Sequence, residues 1–216
     1  MGSSEMDQEV LEIANVEPTL RFPARIGLVK LHNGKMMNLT SHEAAAWTEL
    51  KNDLGAEFGE FVPVSNLVAE SVYTRPHADS SEIDNASELI RKVRLGAARQ
   101  HLDVVLIYEV FSTSKSTSNL ATAVADLTII GGYFIPTRDI ETIGYANCIL
   151  MDVRSGYPYG TASASLTAEG KDTSSRTYSR EVKLEAQNTI ETALILIPEV
   201  KQMMLELKQD LHDAAQ

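Results

Sequence analysis

Two acids stand where a carboxyl group could do chemistry. Asp103 lies at the mouth of the most apolar run of the chain, Leu102-Asp103-Val104-Val105-Leu106-Ile107-Tyr108, where desolvation would perturb its pKa. Asp152 lies two residues before Arg154, and Tyr157-Pro158-Tyr159 follows at once. Scattered acids of this kind can serve a hydrolase or a ligand-binding protein, because the carboxylates of a glycosidase come from distant segments. Each also has a plainer reading. Asp103 suits a strand start bonded to a neighbouring backbone donor. Asp152 and Arg154 project to the same side of a turn, as a structural ion pair or as a binding pair. Tyr157 and Tyr159 either stack on a sugar or a protein partner or pack the turn onto the core.

Other catalytic and ligand signatures are missing from the sequence. Its five histidines, His32, His42, His77, His101 and His212, have no second histidine three or four residues away. His42-Glu43 does not complete a zinc-binding HExxH motif, since residue 46 is Ala46. Gly131-Gly132 lacks the lysine and the spacing of a phosphate loop, and reads as a strand end or bulge. The GxSxG turn of many hydrolases is absent. Lys115 sits among the serines of 112–118 as part of a solvated loop. The one cysteine, Cys148, rules out an intramolecular disulfide and a multi-cysteine zinc site. It falls inside an apolar strand pattern and reads as a small buried hydrophobe. No catalytic residue, metal or cofactor is therefore assigned.

The chain has 216 residues, of which 44% are hydrophobic, and carries thirty acids against nineteen bases, a net charge of −11. Nucleic-acid binding needs a basic footprint, and binding to anionic lipid needs a basic patch. Neither is visible. No apolar run approaches the ~18 residues of a membrane-spanning helix.

The elements that must position these residues follow from periodicity. Residues 1–20 are polar and acidic and read as a flexible arm. One α/β domain is expected over 21–211. Arg25 to Leu31 is apolar on both alternate sets, as in a strand covered on both faces, and Asn33-Gly34 signals a turn. Thr40 and Glu43 have capping-box spacing before a helix bearing Trp47, Leu50 and Leu54. A short strand at 61–64, a helical turn capped by Ser65 and a polar loop at 73–82 come next. A helix from about Asn85 to His101 presents Leu89, Val93, Gly96 and Ala97, small enough at Gly96-Ala97-Ala98 to lie close to a sheet. The run Val104–Val110 reads as a central strand with parallel neighbours. A Ser/Thr-rich loop at 112–122 and strands at 127–130 and 143–153 follow. A strand at 159–168 alternates cleanly, with Ala162, Ala164 and Leu166 facing one way and Thr161, Ser163 and Ser165 the other, and forms a hairpin with its predecessor. A long amphipathic helix at 178–211, kinked at Pro198, ends the chain. The fold class is α/β: a mixed sheet of about five or six strands, with a βαβ start, an antiparallel meander and helices on the sheet faces.

Several of these segments resemble bacterial envelope lipoproteins. LRFPARIGLVKL at 20–31 is similar to their opening strand. Ala97-Ala98-Arg99 through Leu102-Asp103-Val104-Val105-Leu106 is similar to their passage from helix through Asp to apolar strand. Asp152-Val153-Arg154-Ser155-Gly156-Tyr157-Pro158-Tyr159-Gly160 resembles their Asp-x-Arg-Thr-Gly hairpin. The nearest resemblance is to the rhombotarget-type lipoproteins. A more distant one is to the curli-secretion (CsgG-like) lipoproteins and the outer-membrane lipoprotein activators of peptidoglycan synthases. It covers about residues 20–170. The resemblance implies a non-enzymatic periplasmic α/β domain, tethered to the outer membrane through a lipidated cysteine that lies outside this sequence, and acting through a protein partner or self-association.

The stripe after Pro198, with Val200, Met203, Met204 and Leu207, runs further than one sheet face is expected to cover. Met203 and Met204 are therefore candidate interaction residues together with Asp152, Arg154, Tyr157 and Tyr159, the alternative being that the stripe folds back onto the helix at 41–58. Without clustered ligands or a phosphate loop, a thermal-shift screen against divalent metals and nucleotides should be flat. A concentration-dependent rise in Tm with any of them would contradict this reading.

Overall fold

Apolar residues on both alternate sets of 24–32 build strand β1 (Ala24–His32), and both of its faces are covered. Ile26 and Leu28 enter one core, Val29 and Leu31 another. The computed structural model describes residues 8, 11, 14–32, 34–72, 85–113, 143–167 and 177–214. A turn through Gly34, at φ +71, leads to β2 (Lys35–Met37), antiparallel to β1 with His32 opposite Lys35. The sequence reading omits β2, which at three residues is too short to show a period.

Thr40 then caps α1 (Ser41–Leu54). Its hydroxyl accepts from the Glu43 backbone, and the Glu43 carboxylate accepts from the Thr40 N–H at 2.8 Å, so two orphan donors of the first turn are satisfied. Trp47, Leu50 and Leu54 are buried. Strand β3 (Gly59–Pro63) lies parallel to β1, and only glycine fits at 59: a Cβ there would sit 2.0 Å from the Ala24 carbonyl oxygen. Pro63 ends this strand, which among the described residues pairs with β1 alone. Ser65 accepts a long 3.4 Å hydrogen bond from Val68 at the start of α2 (Asn66–Val72).

Helix α3 (Asn85–Arg99) buries Leu89, Val93 and Ala97. Its glycine has a different use from the one expected. Gly96 faces Ala69 of α2, where a Cβ would come within 2.7 Å of the Ala69 Cβ, so it serves helix–helix approach rather than helix–sheet approach.

Strands β4 (Val104–Thr113), β5 (Ile143–Asp152) and β6 (Pro158–Thr167) complete a six-stranded sheet in the order β2-β1-β4-β5-β6, with β3 beside β1. Strand β4 is central, but it is parallel only to β1 and antiparallel to β5. This corrects the expectation of two parallel neighbours. An apolar run on both faces reports how the faces are covered, and neighbour direction is set by the connections. The loop expected at 73–82, the segment beyond Thr113, the strand expected at 127–130 and Gly131-Gly132 lie outside the described residues.

One sheet face carries α1 and α4 (Thr177–Asp213), and the other carries α3 with α2 against it. Helix α4 continues through Pro198, which lies on its solvent side. The stripe beyond Pro198 does not project. Val200, Met203 and Met204 are buried in the larger core, and Leu207 and Leu211 pack against it. Lys201 pairs with Asp53 at 2.8 Å, and Lys208 pairs with Glu57 at 3.3 Å while lying over the Phe58 ring. The candidate interaction role of Met203 and Met204 is corrected accordingly, in favour of the alternative that the stripe folds back onto the helix at 41–58. Their face is covered by the chain itself, because α1 and Phe58 extend the apolar floor beyond the sheet. The variant Met203→Glu/Met204→Glu would bury two unpaired carboxylates and is expected to be largely unfolded by circular dichroism at room temperature. A double variant with the wild-type Tm would show that this stripe is not core.

Candidate functional site

The residues singled out by sequence meet at the turn from β5 to β6. Asp152 is the last residue of β5, where the sheet ends and backbone donors become available. Its backbone N–H donates to the Tyr157 carbonyl at 2.8 Å, its carbonyl accepts from Gly156 at 3.1 Å, and Gly156 takes φ +80 to close the turn. Asp152 is 3% exposed. Oδ1 accepts from the backbone N–H groups of Arg154 and Ser155, both at 2.8 Å. Oδ2 accepts from the Thr19 hydroxyl at 3.0 Å and the Tyr159 hydroxyl at 3.1 Å. Burial works to raise the carboxyl pKa, but the hydrogen bonds from Ser155, Thr19 and Arg154 outweigh it and hold the group below its ordinary value.

Tyr159 extends this cluster. Its hydroxyl donates to Asp152 and accepts from the backbone N–H groups of Thr19 at 3.0 Å and Leu20 at 2.8 Å. Burial, with the Asp152 charge adding to it, raises the phenol pKa against the opposing hydrogen bonds from Thr19 and Leu20, so it remains a proton donor. The end of the segment expected to be a loose arm is therefore pinned as a strap. Leu20 is buried, and Phe22 packs on Phe58 with ring centroids 5.0 Å apart.

Arg154 contributes backbone only. Its guanidinium does not pair with Asp152 among the described residues, and its side chain is exposed. Its carbonyl accepts from Arg94 of α3 at 2.5 Å, while Arg94 Nε donates to the Val153 carbonyl at 3.1 Å. Arg94 thus holds the turn from the other sheet face, lying over Gly156, where a Cβ would come 2.9 Å from its Nη1. Sequence reading did not identify Arg94, since one arginine on a helix carries no positional signal. Tyr157 rests on Tyr159, centroids 5.1 Å apart.

Asp103 lies on the adjoining strand end and does not share this cluster. Its Oδ2 accepts from the Arg25 N–H at 2.8 Å, and its carbonyl accepts from Val153 at 3.1 Å, the bonded strand-start role anticipated for it. Arg25 donates through Nη1 to the carbonyls of Gln100 and His101, closing the C-terminal end of α3.

A second polar cluster was legible only as a helix cap. Glu43, fully buried, pairs with Lys30 of β1 at 2.7 Å and accepts a long 3.4 Å hydrogen bond from the Tyr108 hydroxyl. Burial, then the Glu43 charge, drives the Tyr108 phenol pKa upward. Lys30 within an otherwise apolar strand was the available signal for a buried partner. Cys148 is buried, and desolvation pushes its thiol up to about 12, which makes it inert as a nucleophile. Among the described residues no group of three or more His, Cys, Asp or Glu side chains is placed to hold a metal ion, and no helix is long and apolar enough to cross a membrane.

No family model and no curated relative matches the sequence. Among solved structures, the chain is similar to lipoprotein GNA1162 from Neisseria meningitidis, at 20% identity and TM-score 0.33, covering 78% of this chain and 97% of that one. It is similar to the LpoB C-terminal domain from Escherichia coli, at 14% identity and TM-score 0.31, covering 76% and 96%. It is also similar to a HAM1 protein from Coxiella burnetii, at 16% identity and TM-score 0.36, covering 88% and 99%. TM-scores this low assign neither family nor activity.

The Asp152 cluster makes stability depend on pH. Because the folded pKa is depressed, its contribution is present above the unfolded value of about 3.9 and is lost as pH falls through the folded pKa. Asp152→Asn should lower unfolding free energy by about 1–3 kcal/mol at neutral pH. In urea melts the gap between wild type and variant should narrow as pH falls below the unfolded value of about 3.9. A gap that is absent at pH 7, or unchanged in acid, would remove Asp152 from this role.

Proposed function

We propose that this chain is a non-enzymatic domain of the bacterial cell envelope that acts by binding another protein. The observation that carries the reading is the state of the acids. Asp152, the best-placed carboxylate, spends its oxygens on four hydrogen bonds that tie a turn and a strap together. Asp103 is bonded to the backbone of β1. The alternative, a hydrolase using Asp103 and Asp152, has less support, since these carboxylates sit in different hydrogen-bonded roles. The envelope location rests on the resemblance of segments 20–31, 97–106 and 152–160 to rhombotarget-type and CsgG-like lipoproteins. That resemblance implies attachment to the outer membrane by a lipid anchor, and the net charge of −11 argues against a nucleic-acid partner.

Two arms of one experiment test this reading. The native gene product, tagged at its C-terminus, should fractionate with the envelope and not the cytosol. The purified chain should give no turnover above buffer with chromogenic esters, phosphates and glycosides. Cytosolic fractionation defeats the location, and turnover that disappears in Asp103→Asn or Asp152→Asn defeats the non-enzymatic reading.

A further inference from the structure

Among the described residues, strand β6 ends the sheet on one side. A terminal strand presents a row of unpaired main-chain donors and acceptors, and proteins usually blunt it with charge, proline or a bulge. From Tyr159 to Thr167, β6 has no charged residue and no proline. Thr161, Ser163 and Ser165 are exposed on one face, and Ala162, Ala164 and Leu166 are half-buried under α4 on the other. The one irregularity of the β5–β6 ladder lies at Leu150/Met151, beside the start of β6, leaving the rest of the edge regular.

What overhangs this edge is acidic. Helix α4 lies over β6, with Met203 against Gly160. Its Lys201 and Lys208 turn towards α1, which sits over β1 and β4 through Lys30–Glu43 and Trp47–Tyr108. By helical periodicity the flank opposite those lysines, with Ile195, Glu199, Gln202 and Glu206, points to the free side of β6, and all four are exposed. We infer that the β6 edge is a docking site for an extended segment of a partner protein. That segment adds as a further strand and carries Lys or Arg on the side that lies under Glu199 and Glu206. Main-chain hydrogen bonds hold it, and the charges select it. A second copy of this chain fits less well: pairing β6 with β6 about a two-fold axis brings two acidic α4 flanks together in a chain of net charge −11. This inference rests on the protein-binding reading above and adds the surface and the chemistry of the partner.

The test titrates the intact, isotopically labelled chain with a blocked nine-residue peptide alternating lysine with valine, following backbone amide resonances. The expected result is saturable change at the 159–167 amides, binding at least about tenfold weaker with glutamate in place of lysine, and loss of binding when alternate peptide amides are N-methylated. Glu199→Lys/Glu206→Lys should invert the lysine-over-glutamate order. Should that variant misfold, the wild-type preference must still shrink at high salt. The inference is overturned if the β6 amides do not respond at millimolar lysine peptide, or if the N-methylated peptide binds equally. It is also overturned if the lysine and glutamate peptides are indistinguishable, or if the same amides change with protein concentration alone, which would make a second copy the occupant. Failure here leaves the broader reading to the fractionation and turnover experiment.

Discussion

The parallel pairing of β1 with β4 is the constraint on which the other elements rest. Both strands are buried on both faces, and their register sets Ile26 beside Val104, Leu28 beside Leu106 and Lys30 beside Tyr108. Because strand side chains alternate, a slip of one residue would exchange the two cores and strand Lys30 among the aliphatic side chains on the far side. In the observed register Lys30 meets Glu43, and the carboxylate that caps α1 also neutralises the cation and accepts from Tyr108. A buried ion pair adds little net stability over an apolar pair, but removing one partner is expensive. The cluster therefore fixes where α1 sits on the sheet, with Trp47 over Tyr108 and beside Phe61.

The same economy of polar groups appears at the far end of β5. Asp152 accepts from its own turn, from Thr19 and from Tyr159, while Arg94 reaches from the opposite face to the carbonyls of Val153 and Arg154. The turn thus joins the strap, the hairpin and α3 in one hydrogen-bonded unit. Residues that look like a binding surface in one dimension are here mostly consumed by folding. In the proposed reading, recognition falls to surfaces that folding does not use: the β6 edge and the α4 flank above it.

Helix α4 shows how a covered face and an interface can share one sequence pattern. Its stripe from Ala193 to Leu211 satisfies both readings, since periodicity says which residues are apolar together and not what they meet. Lys201 and Lys208 were the discriminating residues. They turn towards Asp53 and Glu57 and bring the end of α4 down on α1.

The sequence by itself determined the local elements. Double-sided apolar runs marked β1 and β4, a capping box marked the start of α1, and strict alternation marked β6 as half-exposed and paired with β5, because each is a short-range consequence of backbone period and side-chain polarity. It also offered the strand-start reading of Asp103 beside a catalytic one, and only the fold supplied the Arg25 N–H that bonds it. Tertiary structure alone decided the rest. The direction of β5 beside β4, the use of Gly96 against Ala69, the burial of Met203 and Met204, the Lys30–Glu43–Tyr108 contact and the grip of Arg94 on the Asp152 turn join residues far apart in the chain. No local period encodes such contacts, because they depend on which element the chain connections bring opposite which.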